Sequence, residues 1–121
     1  MNSYQYVCES CGQVESLETE HWRCPNCGGA FALVGPNSFD PSAIDPSAPG
    51  LWRYEHLLPV DRADSVSLGE GMTPLVPGTL AGRTVRFKLD ALLPTGSFKD
   101  RGAALLAAHL NRIGRRRVIV D

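Results

Sequence analysis

The residue whose type and position best suit a catalytic role is Lys99, within the stretch PTGSFKDRG at 94–102. Alternating apolar and charged residues at 84–89 predict a strand before this stretch, which its proline and glycine then end. Ser97 and Asp100 have the spacing of a capping box and predict that a helix begins there. Lys99 would then lie in the first helical turn, where unpaired backbone N–H groups create a positive potential that disfavours an ammonium group. A neutral lysine amine is the form that condenses with a carbonyl to give a Schiff base.

Four cysteines form a second candidate site, as two Cys-x-x-Cys pairs with twelve residues between them. They are Cys8, Cys11, Cys24 and Cys27. A glycine follows each pair and permits a left-handed turn behind it. Four thiolates suit tetrahedral Zn²⁺ with bonds of about 2.3 Å, and they leave no open coordination position, so the predicted metal is structural. Short strand-like runs at 4–7 and 31–34 flank the pairs, and the whole predicts a zinc ribbon.

Other chemistries compete for the same cysteines. Iron is one, because two Cys-x-x-Cys-Gly turns are also typical of rubredoxin-like sites. A disulfide framework is disfavoured because the sequence shows no secretory signal, and redox chemistry is disfavoured because two matched pairs indicate ligation. His21 lies near the second pair, but a fifth ligand is not needed, and we interpret it as a surface histidine.

The elements around these sites divide the chain into three parts: the ribbon at 1–34, a linker at 35–50 rich in proline, serine and aspartate, and a third part at 51–121. The third part opens with a short predicted helix that ends before a proline. Its Trp52 and Tyr54 are expected to anchor this segment on the domain rather than to stack on nucleic-acid bases.

Two residues in the turn-rich loop before the next predicted strand, Glu70 and Thr73, have two interpretations. They contact substrate, or they only hold a turn. The sequence leaves both open.

The third part predicts an α/β fold. The helix is expected to run from about 97 to 113, with Gly114 as its stop, and to be buried because it is apolar almost all round. The apolar run at 117–121 predicts a buried strand parallel to the one at 84–89, which makes one βαβ unit. Because two strands and one helix cannot cover each other, we expect the chain to be the front of a longer protein.

Composition excludes several classes of protein. No apolar run reaches 18 residues and no signal peptide is recognisable, so we expect a cytoplasmic protein without a membrane partner. The net charge of -1 argues against a sequence-independent nucleic-acid binder. The arginines at 112–117 are assigned to the helix C-terminus, where cations are favoured, rather than to a phosphate-binding patch.

Residues 67–75 (SLGEGMTPL), 88–90 (KLD) and 94–102, with 50–54 (GLWRY) upstream, resemble the threonine synthase family of fold-type-II, tryptophan-synthase β-like enzymes. The resemblance implies that Lys99 binds pyridoxal 5'-phosphate as a Schiff base and then acts as general base and acid. The implied reaction converts O-phospho-L-homoserine and water into L-threonine and phosphate, by a carbon–oxygen lyase of amino-acid biosynthesis. A small amino-acid substrate and a homo-oligomer when full length belong to the same expectation.

The resemblance also places essential parts of the family's site beyond residue 121. These are a Ser-Ser-Gly-Asn-type loop on the cofactor ring and a glycine-rich loop for the cofactor phosphate. We therefore expect the 121 residues alone to be inactive. Two alternatives stay open: a related enzyme such as a threonine dehydratase or a cysteate synthase, and a zinc-ribbon interaction module joined to an inactive remnant.

Overall fold

The computed structural model describes residues 4–36 and 38–118. It contains two compact units, Met1–Asp40 and Pro41–Asp121, which are described separately below. The strand predicted at 117–121 lies mostly outside the described residues, and Arg117 and Val118 have no strand structure. In the described part of the chain, no helix has the length and apolar character needed to cross a membrane.

The first unit is a three-stranded antiparallel sheet in the order β2-β1-β3. Its strands are β1 (Gln5–Cys8), β2 (Val14–Glu15) and β3 (Phe31–Val34). The two strands predicted to flank the cysteines are confirmed as β1 and β3, which pair along their whole length. The rings of Tyr6 and Phe31 pack at 5.9 Å between centroids on this sheet.

The second unit contains a β-hairpin formed by β4 (Leu75–Leu80) and β5 (Arg83–Lys88). Ala81 and Gly82 connect the strands with φ values of 50° and 75°, as a two-residue hairpin turn requires. The strand predicted at 84–89 is confirmed as β5. Its neighbour among the described residues is the antiparallel β4, so the parallel βαβ crossover stays a prediction.

One α-helix, α1 (Asp100–Arg112), follows the hairpin. The prediction that it begins at Ser97 with a capping box is wrong, because no side chain caps the helix and Lys99 is the residue immediately before it. The predicted stop is confirmed: Gly114 has φ 73°, and its N–H donates to the carbonyl of Asn111 at 3.0 Å.

The helix packs on residues from the segment before the hairpin, at 51–60. Ala104 and Ala108 contact a core that includes Trp52 and Val60, each only 1% exposed. Trp52 lies on the 3₁₀-helical segment Gly50–Leu57, so the predicted short helix is a 3₁₀ helix. The expectation that α1 is buried all round is wrong in the described part of the chain, where one alanine face is buried and Leu106 is 53% exposed.

Trp52 anchors its segment through a buried hydrogen bond, as predicted. Its indole Nε1 donates to Oε1 of Glu70 at 3.1 Å, and Glu70 is 2% exposed. The Glu70 carboxylate also accepts from the Ser67 hydroxyl at 2.9 Å and from the Leu68 N–H at 2.9 Å. Gly50 is required beside it, because a Cβ there would lie 2.1 Å from the Glu70 carbonyl oxygen. Tyr54 is 37% exposed and is not part of this core.

We predict that Trp52→Phe lowers the free energy of unfolding of the second unit by about 1–3 kcal/mol, because it removes one donor from a buried carboxylate. Urea denaturation followed by circular dichroism of α1 measures the change. Trp22→Phe is the matched control, because Trp22 is 82% exposed. Equal effects of the two substitutions would contradict the assigned role of the Trp52–Glu70 hydrogen bond.

Candidate metal centre and candidate active-site lysine

The four cysteine sulfurs lie together in the first unit, with all four within 4.8 Å of one another. The Sγ atoms of Cys8 and Cys27 are 3.5 Å apart, and those of Cys11 and Cys24 are 3.6 Å apart. A tetrahedral ion with Zn–S bonds of about 2.3 Å holds its sulfurs about 3.8 Å apart, so the cluster fits such an ion. A disulfide needs about 2.05 Å, and all four cysteines are free.

Two matching turns bring the cysteines together. In each turn the glycine N–H donates to the carbonyl of the first cysteine, Gly12 to Cys8 at 2.9 Å and Gly28 to Cys24 at 2.8 Å. The two glycines have φ values of 75° and 74°, a conformation that disfavours other residues. The glycine after each Cys-x-x-Cys pair therefore turns the backbone so that both sulfurs face the same point.

The thiols of Cys11 and Cys27 differ in pKa. A hydrogen bond from the Gln13 backbone, with help from Asn26, lowers the pKa of Cys11 to about 6. The Gly29 backbone lowers the pKa of Cys27, but the neighbouring sulfurs of Cys11 and Cys8 outweigh it and raise that pKa to about 12. The pKa values of Cys11 and Cys27 are thus shifted in opposite directions, as expected of closely packed and mutually interacting sulfurs.

Lys99 lies on an exposed turn at the start of α1. Its carbonyl accepts the first helical hydrogen bond, from the Ala103 N–H at 2.9 Å. Its side-chain amine makes no hydrogen bond or ion pair with the residues that the structure describes. The turn before it depends on Gly96, which has φ 76°. The sequence predicted that Lys99 lies in the first turn of the helix, whereas the structure places it immediately before the helix, at its N-terminus.

The two residues after Lys99 both reach away from the helix. The Asp100 carboxylate accepts hydrogen bonds from the backbone N–H and the hydroxyl of Thr95, so it folds back on the turn. The Arg101 guanidinium binds Asp90 through two hydrogen bonds, of 2.6 and 2.9 Å. The hydrogen bonds of Asp100 and Arg101 therefore restrain the backbone next to Lys99, whereas the Lys99 side chain has no hydrogen bond or ion pair with the described residues.

Asp90 is the centre of a polar cluster that contains Thr73, Lys88, Asp90 and Arg101, which we call the Asp90 cluster. The Thr73 hydroxyl donates to Asp90 at 2.9 Å and accepts from Arg101 at 3.2 Å. The Lys88 ammonium donates to the Thr73 carbonyl. The cluster joins the loop before β4, the end of β5 and the start of α1, which are the three stretches that carry the family resemblance.

The cluster changes the pKa of its charged members. The Arg101 guanidinium, followed by the Thr73 hydroxyl, holds the pKa of Asp90 below its ordinary value of 3.8, and the Asp90 carboxylate raises the pKa of Arg101. Because the folded pKa of Asp90 is lowered, its contribution to stability is complete above the ordinary value and is lost as the pH falls through the lowered value.

A groove of about 190 Å³ lies beside the turn, between the loop at 66–70 and the first half of α1. Most of its lining is apolar, and the lining includes Thr95 and Asp100 but not Lys99. Its volume is below the roughly 300–1,000 Å³ of small-molecule sites. This groove is thus smaller than a typical small-molecule site.

The structure brings the four predicted cysteines into one cluster. The other candidate residues discussed from the sequence, His21, Glu70 and Thr73, are not part of that cluster. His21 is exposed and lies 3.8 Å from Glu15, on the surface as expected. Glu70 and Thr73 both hold turns, which supports the second of their two interpretations. Sequence reasoning missed the pairing of Asp90 with Arg101, although opposite charges in two neighbouring motifs were a signal for it.

Comparisons with known proteins agree with the family resemblance of the residues around Lys99. Residues 66–121 match the pyridoxal-phosphate dependent enzyme family. The chain is 32% identical over 107 residues to a threonine synthase of Methanosarcina acetivorans, with 82% of this chain and 26% of the relative covered. It is 30% identical over 118 residues to a threonine synthase of Methanocaldococcus jannaschii, with 88% and 29% covered. The identity to a threonine synthase of Synechocystis is 42% over 73 residues, with 54% and 19% covered.

No solved structure matches the chain significantly. The chain spans about a quarter of the length of the first two curated relatives, so it carries only part of what those relatives contain. The matched segment includes the lysine turn, α1 and β5 together with the loop that contributes Thr73 to the Asp90 cluster. Residues 66–121 belong to the pyridoxal-phosphate dependent enzyme family, and the chain has threonine synthases among its homologues.

Proposed function

We propose that the second unit is the amino-terminal part of the catalytic domain of a threonine synthase. The reaction is the conversion of O-phospho-L-homoserine and water into L-threonine and phosphate, catalysed by a cytoplasmic carbon–oxygen lyase. The observation that carries the proposal is the exposed, unpaired amine of Lys99 on a fixed turn, within the segment that matches the family. The names of the relatives support the choice of substrate.

Pyridoxal phosphate, when bound, supplies an electron sink for carbanions formed on the substrate. Lys99 would hold the cofactor through its amine and would move protons at the substrate carbons. The flexible side chain of a lysine on a fixed backbone suits both tasks, because the amine has to move between the cofactor and the substrate. Asp100 and Arg101 hold that backbone and have no contact with the reacting atoms in this assignment.

For the first unit we propose a structural Zn²⁺ site formed by Cys8, Cys11, Cys24 and Cys27. The observation that carries this proposal is the close approach of the four sulfurs, which all lie within 4.8 Å of one another. Softness of the ligands favours zinc or iron over hard cations, and four filled positions leave no place for substrate. Reduced thiols require a reducing compartment, which supports the cytoplasmic assignment.

We predict that Lys99→Ala abolishes phosphate release from O-phospho-L-homoserine in an enzyme of the relatives' length that contains this chain. Arg86→Ala is the control, because Arg86 lies on the exposed face of β5. Activity is measured with O-phospho-L-homoserine, O-phospho-L-serine and L-threonine side by side. Preference for threonine would favour a dehydratase, and preference for phosphoserine would favour a cysteate synthase.

We further predict that the 121-residue chain alone binds pyridoxal phosphate weakly and has no turnover. The groove beside the turn is too small and too apolar to hold the cofactor and its phosphate. Absorption titration of the cofactor measures the affinity. Micromolar binding with a stable absorption band would contradict this expectation.

We predict that the chain binds one Zn²⁺ and that Cys→Ser substitution at any of the four positions lowers zinc affinity at least about tenfold. Metal content by mass spectrometry and the visible absorption of the Co²⁺-substituted protein measure the site. The His21→Ala variant is the control and is expected to bind zinc normally. Affinity should fall as the pH is lowered, because protons compete for the thiolates. An iron-loaded protein from cells supplied with both metals would contradict the choice of zinc.

A further inference from the structure

The sequence contains two lysines, Lys88 and Lys99. Both residues are exposed, but their amines differ in the contacts that they make. The Lys88 ammonium donates to the Thr73 carbonyl and lies close enough to Asp90 to help lower the pKa of that carboxyl. The Lys99 amine is exposed and has no hydrogen bond or ion pair among residues 4–36 and 38–118. Besides the α-amine, a carbonyl compound that meets this chain has two lysine amines as candidates, of which one is hydrogen-bonded and the other is available.

The same group of side chains produces both environments. The Thr73 carbonyl accepts from Lys88, and the Thr73 hydroxyl is held by Asp90. Asp90 also binds Arg101, two residues after Lys99, through the bidentate pair. Because a bidentate pair fixes direction as well as distance, Arg101 restrains the start of α1 relative to the end of β5. The Asp100–Thr95 hydrogen bonds restrain the turn from the other side.

We propose that the Asp90 cluster selects Lys99 over Lys88 as the carbonyl-reactive amine of this chain. Asp90 and Arg101 are positioning residues: they hold the backbone beside Lys99, and they hold the Thr73 hydroxyl, so that the Thr73 carbonyl keeps the competing amine of Lys88 occupied. The proposal rests on the proposed function, in which Lys99 binds the carbonyl of pyridoxal phosphate. It goes further by naming the side chains that make the choice between the two lysines.

Reductive trapping on the 121-residue chain tests the selection directly. Pyridoxal phosphate condenses with a lysine amine and loses water, and cyanoborohydride delivers a hydride that, with a proton from solvent, reduces the C=N bond to a stable secondary amine. Peptide mass spectrometry then gives the initial labelling rates of Lys88 and Lys99 separately. The ratio of the two rates is the readout, and the same ratio in denaturant gives the intrinsic reactivity of the two amines.

We expect the native chain to label Lys99 faster than Lys88, relative to the denatured chain. The ratio should fall about tenfold in Asp90→Asn and in Arg101→Gln, because loss of the cluster releases the Lys88 amine from its hydrogen bond to the Thr73 carbonyl. Arg101→Lys keeps the charge but loses the bidentate geometry, so its ratio should lie between that of the native chain and that of Arg101→Gln. Circular dichroism of α1 is recorded for each variant at the labelling temperature.

Two controls separate positioning from folding. Arg86→Gln removes a guanidinium from exposed β5 and should leave the ratio unchanged. Val60→Ala weakens the core, where Val60 is 1% exposed, without touching the cluster. Its ratio should also stay native-like at a temperature where it remains folded.

The outcomes are distinct. A native chain whose two lysines react as they do in denaturant would overturn both this inference and the proposed role of Lys99. A selective native chain whose ratio survives in folded Arg101→Lys and Asp90→Asn would overturn the inference and leave the proposed function standing. An equal loss of selectivity in Val60→Ala would show that the cluster acts only through stability. If Arg101→Gln unfolds, the folded Arg101→Lys variant decides.

Discussion

The bidentate pair between Arg101 and Asp90 is the interaction on which the arrangement of the second unit depends. It connects residues 11 apart in sequence, and through Thr73 it reaches a loop 28 residues before Arg101. Both charged side chains are about one-third exposed, at 31% and 30%, so solvent screens their attraction and the pair adds little to stability as a charge interaction. Its importance is geometric. Three segments that are separate in sequence, the loop before β4, the residues after β5 and the start of α1, meet at one carboxylate.

A second carboxylate, which is buried, completes this arrangement at the other end of the same loop. Glu70 ties the loop to Trp52, while Thr73, three residues later, ties it to Asp90. Both residues are less than one-tenth exposed, at 2% and 7%. A short loop fixed at two points has little freedom left. The glycines and the proline of the loop supply the turns, and its polar residues hold it to the helix segment and to the hairpin.

The sequence predicted what depends on neighbouring residues and missed what depends on distant ones. The cysteine turns, the strand β5 and the stop at Gly114 each follow from a few adjacent residues, and each is confirmed. The helix start was misplaced because the Asp100 carboxylate binds the Thr95 N–H instead of completing a capping box with Ser97. No local pattern tells an aspartate which of two nearby donors it will take. The exposure of Leu106 was missed because a run of apolar residues does not show which faces will find neighbours.

The two candidate sites obtain their order from different physical sources. The first unit is small, and its buried apolar residues among those described are Cys8, Leu17 and Cys24, so two of the three are proposed metal ligands. A core this small contributes little apolar burial, and a bound ion would therefore supply folding energy as well as fix the sulfurs. The lysine turn has no such centre and depends on hydrogen bonds between side chains. A metal holds all its ligands through one atom, whereas the Asp90 cluster leaves the reactive amine outside the network that positions it. That difference suits the structural ion proposed for one unit and the catalytic amine proposed for the other.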